Sequence, residues 1–471
     1  MRHLITNACV LTVNASDEVF SPGYVLIEGE RIAAVGPMSA CPHGAFDLTT
    51  DAEGGFIAPG LINLHEHDYM HMMKGIAEGL LLEPWSRQVS SRSREAMEGA
   101  DFVAAMRIGA LEMLRTGTTT ALLHPARASL ELDVDGPLPP NSDLGLRQVH
   151  GIAYQIRTPV LADHPFGPAE AAENLALLAE RFSRGPGQMN LAATMIECNA
   201  HHTAAGRSSD ELVISGHKAA SDLGLRIASH VSGGTLSMAM GFLKYKRVTG
   251  RSDVEYLDRL GVLDDSWLLI HGIHFTDQDI AIVRDRGASV VYTPTSEAIR
   301  AGGIGPWVQM LGEGIVCALG TDGPAVDYSM DMVEQMKAVV LFQNLRHRSP
   351  TALSPREALR MGTINGARAL GIESWLGSIE PGKRADLVLY RRERSSQRLA
   401  TDPIAAFVMA SNGTDARLVL VNGRPAYDDG RFTAGIDPAL IVAEARERAD
   451  AINTRSGLIS RAEPVWPQNA A

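Results

Sequence analysis

The chain has 471 residues, 45% hydrophobic and 21% charged, an ordinary globular composition long enough for one large domain and a small one. A formal net charge of −12 argues against nucleic acid or an anionic membrane as the main partner. Cys9, Cys41, Cys198 and Cys317 have no close pairing, the N-terminus has no sustained apolar run and nothing is clean enough to span a bilayer, so a soluble cytoplasmic protein with free thiols is expected.

Residues 1–57 read as short strands and turns. Tyr24–Ile27 and Arg31–Val35 are β-rich, and Glu28-Gly29-Glu30 joins them as a hairpin turn. From 58 to 371 short apolar runs alternate with amphipathic segments such as Asp101–Arg115, Ala169–Phe182 and Ser209–Leu223. The runs are Leu61–His67, Thr118–His124, Gly151–Ile156, Leu191–Cys198, Arg226–Val231, Trp267–His271, Ser289–Thr293 and Val316–Asp322. Strand–helix alternation repeated that often predicts an α/β fold, a (β/α)8 TIM barrel. Residues 125–150, rich in Pro, Asp and Gly, read as a long loop after the second strand, over the mouth of the site or as a surface insertion. Over 372–430 the β texture returns in Ala385–Tyr390 and Arg417–Val421, with Asn422-Gly423 as a turn. The two ends are expected to pair into one small β-domain. Residues 431–471 read as a helix near 436–453 and an extended tail.

The chemistry lies at the ends of the apolar runs. In a strand, residues two apart share a face, so His65 and His67 present two imidazoles to one point. His230, His271 and Asp322 close later runs, and catalytic residues of a barrel sit at the C-terminal ends of its strands. Three imidazoles and a carboxylate suit one divalent ion, zinc first, with iron, manganese or cobalt also compatible. Such an ion lowers the pKa of its water towards roughly 7. Asp322 is the residue type to take that water's proton and pass it on, and His271 to polarise or protonate the substrate. His71 and His274 lie near this set but off its pattern.

The residues carrying that pattern are Pro59–His67, Gly117–Thr120, Ser229-His230, Ile270–Gly272, Pro294–Ser296, Leu319–Gly323 and Gly377–Asp386. In these the chain resembles the amidohydrolase superfamily, in the branch of cytosine and guanine deaminases and triazine chlorohydrolases. The resemblance implies a barrel with a small β-sandwich built from both chain ends. It also implies one metal on His65, His67, His230 and Asp322, with His271 beside the attacking water. A homo-oligomer is expected, since the family often forms dimers or larger assemblies. His201 or His202 matches a region that often carries a substrate-binding histidine, and His124 is placed to line the pocket. Glu197 is a candidate ligand for a second metal, which His124 could join.

Two departures bear on the reaction. Ring deaminases of this branch carry a proton-shuttling Glu three residues after the strand-5 His, where this chain has Gly233. Glu297 stands where Asn is usual. Losing the acid leans the expectation towards a small-molecule substrate with an amide, urea or carbamate C–N bond. The alternative is deamination or dechlorination of a nitrogen heterocycle, which needs a substitute acid, and Glu297 is the nearest in sequence. A non-catalytic scaffold is the remote third reading.

Overall fold

Eight strands, each parallel to its neighbours, form the central sheet in chain order: β6 (Leu61–Glu66), β7 (Thr118–Leu123), β8 (Arg147–Ala153), β9 (Asn190–Met195), β10 (Arg226–Val231), β11 (Trp267–His271), β12 (Ser289–Tyr292) and β13 (Cys317–Leu319). The structure, a computed structural model, describes residues 1–76, 79–124, 144–154, 167–182, 187–198, 208–234, 246–247, 249–433 and 435–458. The strands are apolar because both faces are covered: every residue of β6, β7, β8, β11, β12 and β13 is buried. The ring closes between its first and last strands. Asn63 Nδ2 donates to Thr321 Oγ1 at 2.8 Å, and the amides of Thr321 and Asp322 donate to the His65 carbonyl at 3.1 and 2.9 Å. This is the predicted (β/α)8 barrel.

Local sequence starts and stops the outer helices. Ser252 and Thr276 cap the helices Asp253–Leu260 and Asp277–Arg286, each in a reciprocal box with the acid three residues on, Glu255 and Asp279. Both helices end on a left-handed glycine, Gly261 and Gly287, a conformation that costs other residues more. Asp279 is shared: its other oxygen takes the Ser252 hydroxyl, so one carboxylate ties two neighbouring helix starts together.

The chain ends form a second sheet of nine strands, ordered β17-β16-β15-β14-β5-β1-β2-β3 with β4 beside β1. From the N-terminal end come β1 (Arg2–Leu11), β2 (Val19–Glu28), β3 (Arg31–Pro37), β4 (Leu48–Asp51) and β5 (Phe56–Pro59). From the C-terminal end come β14 (Leu387–Tyr390), β15 (Ala416–Val421), β16 (Arg424–Asp428) and β17 (Arg431–Phe432). The halves join where β14 pairs antiparallel with β5, Val388 opposite Ala58. Around that seam Ile5, Val10, Ile57, Leu387 and Leu420 belong to a core of its own.

Arg147 ties this sheet to the base of the barrel. Its guanidinium pairs with Asp386, donates to Asn422 Oδ1 at 2.7 Å and reaches the Gln188 carbonyl at 2.9 Å. β8 therefore starts at Arg147, inside the stretch 125–150 read as loop, and residues 125–143 lie outside the described residues. The C-terminal helix, Pro438–Ser456, packs on the helix Gly99–Arg115, with Arg448 and Arg455 reaching Asp101. Among the described residues no helix is long and apolar enough to cross a membrane.

Candidate active site

Strand register assembles the site. β10 and β11 are paired so that Val231 faces His271, which puts His230 and His271 at adjoining strand ends. The closing bonds from Asp322 and Thr321 to the His65 carbonyl bring the last strand's carboxylate to the first strand's imidazoles. His65, His67 and His230 offer ring nitrogens within 4.8 Å of one another, and so do His65, His271 and Asp322 with their donor atoms. Asp322 Oδ1 lies 3.5 Å from Nε2 of both His65 and His67. Two residues of the cluster hold left-handed backbones that are rare outside glycine, His271 at φ 80° and Asp322 at φ 61°. Such strain persists where the surroundings impose it and gathers at functional sites.

The electrostatics suit a cation. Burial, opposed by Asp322, lowers the His65 pKa to about 3, and burial with the neighbouring His124 and His65 takes His67 well below its ordinary value. Both are neutral imidazoles with lone pairs to give. Burial alone would raise the Asp322 carboxyl, but Arg300, His65 and His67 outweigh it and hold it well below the usual carboxylate range. Neither ring nitrogen of the fully buried His65, nor Nδ1 of His67, has a hydrogen-bond partner among the described residues. Buried polar atoms left so are costly. Unprotonated nitrogens around an ionised carboxylate make a donor set that fits a divalent metal.

Around this set lies a second ring of contacts. Glu197 Oε1 is 2.6 Å from His230 Nδ1 and 2.9 Å from His124 Nε2. A carboxylate only accepts, so both nitrogens carry protons in these bonds. Burial would raise Glu197, but His230 and His124 outweigh it and keep it anionic; in return Glu197 overcomes burial and raises His230. Glu297 Oε1 lies 2.8 Å from His271 Nδ1. Ser296 donates to Asp322 Oδ2 at 2.6 Å, and the Gly323 amide to Oδ1 at 2.7 Å.

The structure thus brings His65, His67, His124, Glu197, His230, His271, Glu297 and Asp322 into one bowl. His201 and His202 lie outside the described residues. His71 turns instead to Glu112, 3.5 Å away, and His274 reaches the Gly234 carbonyl at 2.8 Å. Sequence reasoning missed Arg300. This residue is 8% exposed, sits 3.3 Å from Asp322 Oδ2, and lies over the Trp85 ring at 4.7 Å. Its signal was its place one helical turn past Ser296, on the same face of the helix Pro294–Ile299.

A barrel with such a donor set at its strand ends defines a metal-dependent hydrolase. The model of the amidohydrolase family matches residues 56–426, and the chain belongs to that family; it is a hydrolase acting on carbon–nitrogen bonds other than peptide bonds. It is 28% identical over 452 residues to the 5'-deoxyadenosine deaminase of Methanosarcina mazei, covering 96% of this chain and 98% of the relative. It is 31% identical over 454 residues to the 5-methylthioadenosine/S-adenosylhomocysteine deaminase of Desulforudis audaxviator, covering 95% and 98%. Among solved structures, the zinc-bound adenosine deaminase of Xanthomonas campestris superposes with a TM-score of 0.85 at 25% identity, covering 96% of this chain and 98% of that one. The zinc-complexed atrazine chlorohydrolase of Arthrobacter aurescens superposes at 0.82 with 22% identity, over 95% and 100%, a likeness of fold.

Proposed function

We propose that this protein is a deaminase of an adenosine-type nucleoside, hydrolysing the exocyclic C–N bond of the purine. The observation that supports it most is the unbroken donor set His65, His67, His230 and Asp322 in a chain similar along its length to nucleoside deaminases. The lean towards amide, urea or carbamate substrates rested on the glycine at 233. The relatives weigh towards the deaminase alternative.

His65, His67, His230 and Asp322 would hold one divalent ion, zinc being the metal in the two superposed structures. Bound there, it would supply Lewis-acid activation of water at neutral pH. The remaining steps belong to the chain. Asp322, kept ionised by Arg300 and the histidines, is the base that accepts a proton from the attacking water. His271 stands across from it and is the group to hand a proton to the substrate. Glu197 fixes the His230 ring through Nδ1, which leaves Nε2 on the opposite edge as the donor. His124 is locked on the same carboxylate and lines the wall. Arg300 against Trp85 forms a further wall beside Asp322.

The test is a product-resolved assay. Zinc-loaded protein is incubated with 5'-deoxyadenosine, 5'-methylthioadenosine, S-adenosylhomocysteine and a panel of amides, ureas and carbamates. The expected result is one ammonia per nucleoside, with the skeleton intact and a carbonyl replacing the amino group. Cleavage of a panel amide or urea without nucleoside turnover would overturn the proposal and return the reading to the one suggested by Gly233.

A further inference from the structure

Hydrolysis of an exocyclic C–N bond needs an acid as well as a base. Water's oxygen forms the new C–O bond, the C–N bond breaks with its electron pair on nitrogen, one water proton leaves in ammonia and the other ends on the ring nitrogen. Position 233 has no side chain to carry either proton. Nor is there room for one: a Cβ built on Gly233 would stand 2.9 Å from His271 Cβ and 3.0 Å from its Cγ and Cδ2. The His271 ring occupies the space such an acid would cross.

The opposite edge of that ring meets Glu297, 3% exposed, with Oε1 2.8 Å from Nδ1. Room has been made for this carboxylate. A Cβ on Gly302 would lie 2.1 Å from Glu297 Oε2, and the Gly302 amide closes the turn on the Glu297 carbonyl at 2.8 Å. Thr293 Oγ1 flanks the same Nδ1 at 3.3 Å. A glycine on one side of His271 and a glycine-housed carboxylate on the other form one arrangement around a single imidazole.

We propose that Glu297 is a positioning residue that holds His271 with its proton on Nδ1, so that His271 relays a proton to the leaving group through Nε2. Asp322 takes one proton of the attacking water, which ends on the ring nitrogen. Nε2, left bare by the Nδ1–H tautomer, takes the other once the C–O bond has formed and gives it to the leaving nitrogen, while the Nδ1–H bond to Glu297 stays in place. Glu297 therefore acts through His271 and does not itself meet the substrate. The inference rests on the deaminase reading only for the identity of the leaving group.

The first test needs no substrate. In the nitrogen-15 spectrum of zinc-loaded wild-type protein, with His271 assigned by difference from His271→Asn, a protonated Nδ1 is expected. A bare Nδ1 would overturn the proposal whether or not nucleosides are turned over. Glu297→Gln keeps the shape and loses the charge. With metal content unchanged it should lower kcat about 100-fold or more, the scale of a lost acid–base device, and leave KM within a few-fold. Glu297→Ala should regain part of its kcat with added formate. An unchanged kcat in Glu297→Gln, or a loss of metal that accounts for the whole drop, would refute the role.

Discussion

Gly233→Ala adds one methyl beside the His271 ring. Gly233 does not have a left-handed φ, so the backbone accepts alanine and the effect is one of contact. The new Cβ would lie 2.9 Å from His271 Cβ, where ordinary contact begins near 3.4 Å, so something must yield by about half an ångström. The His271 Cβ moves only with its backbone, so relieving the contact shifts the end of β11 and with it swings the ring, itself 3.0 Å from the new methyl. Swinging it stretches the 2.8 Å bond to Glu297 towards the limit of a useful hydrogen bond. Overpacking of this size costs roughly 1–3 kcal/mol of stability. Catalytic groups tolerate about 0.5 Å of displacement, and a full 1 Å costs about 100-fold, so kcat should fall about 10-fold. The assay is ammonia release by the zinc-loaded variant, with metal content measured and Gly312→Ala as control, since nothing lies within 4 Å of a Cβ at Gly312. Gly233→Glu, although it installs the acid that ring deaminases carry, should be worse than alanine. Wild-type kcat in Gly233→Ala would refute the assignment of His271 to the chemistry.

Burial lowers His150 to about 4, so between its ordinary 6.5 and about 4 the unfolded chain binds a proton that the folded one refuses. Stability from this group is complete above about 6.5 and lost as pH falls towards about 4, up to about 3 kcal/mol; His150→Gln should flatten that limb in urea titrations across pH. Arg147→Met leaves the Asp386 carboxylate buried and unpaired between the barrel and the end sheet, and should cost about 3–5 kcal/mol in urea unfolding, much of it regained in Arg147→Met/Asp386→Leu. Removing the metal with a chelator should abolish turnover and lower Tm, both restored by zinc; His67→Ala should not regain either on zinc addition.

The barrel was legible because its strands are covered on both faces and so appear as apolar runs between amphipathic helices. The residues proposed to hold the metal stood out for a related reason: a polar residue at the end of an apolar run has no packing role to account for it. The start of β8 escaped notice because Arg147, Gln148 and His150 are buried polar residues within a strand. Arg147 is satisfied by Asp386 and Asn422, more than 200 residues away in sequence, and no local pattern encodes that pairing. Arg300 was hidden likewise. A lone arginine on a short helix reads as surface until the fold lays it on Trp85 and Asp322. Glu297 was seen as an oddity of sequence, but its meaning depends on Gly302 and His271, which only the closed barrel brings against it.

The number of metal ions follows from how Glu197 is spent. Its Oε1 accepts from His230 Nδ1 and His124 Nε2, at 2.6 and 2.9 Å, so the three residues that could hold a second ion already satisfy one another. Seating an ion among them would displace protons from two imidazoles, one of which, His230, Glu197 holds above its ordinary pKa despite burial. The first site asks for less, because His65 and His67 are already neutral and His230 meets it through Nε2 with its Nδ1 proton left on Glu197. One ion per chain is therefore expected by elemental analysis after loading with excess zinc. Glu197→Gln should keep that single ion while weakening it about 10- to 100-fold, since the amide still accepts from His230 but no longer fixes its tautomer through charge. Two ions per chain in the wild type, falling to one in Glu197→Gln, would show instead that Glu197 is a ligand.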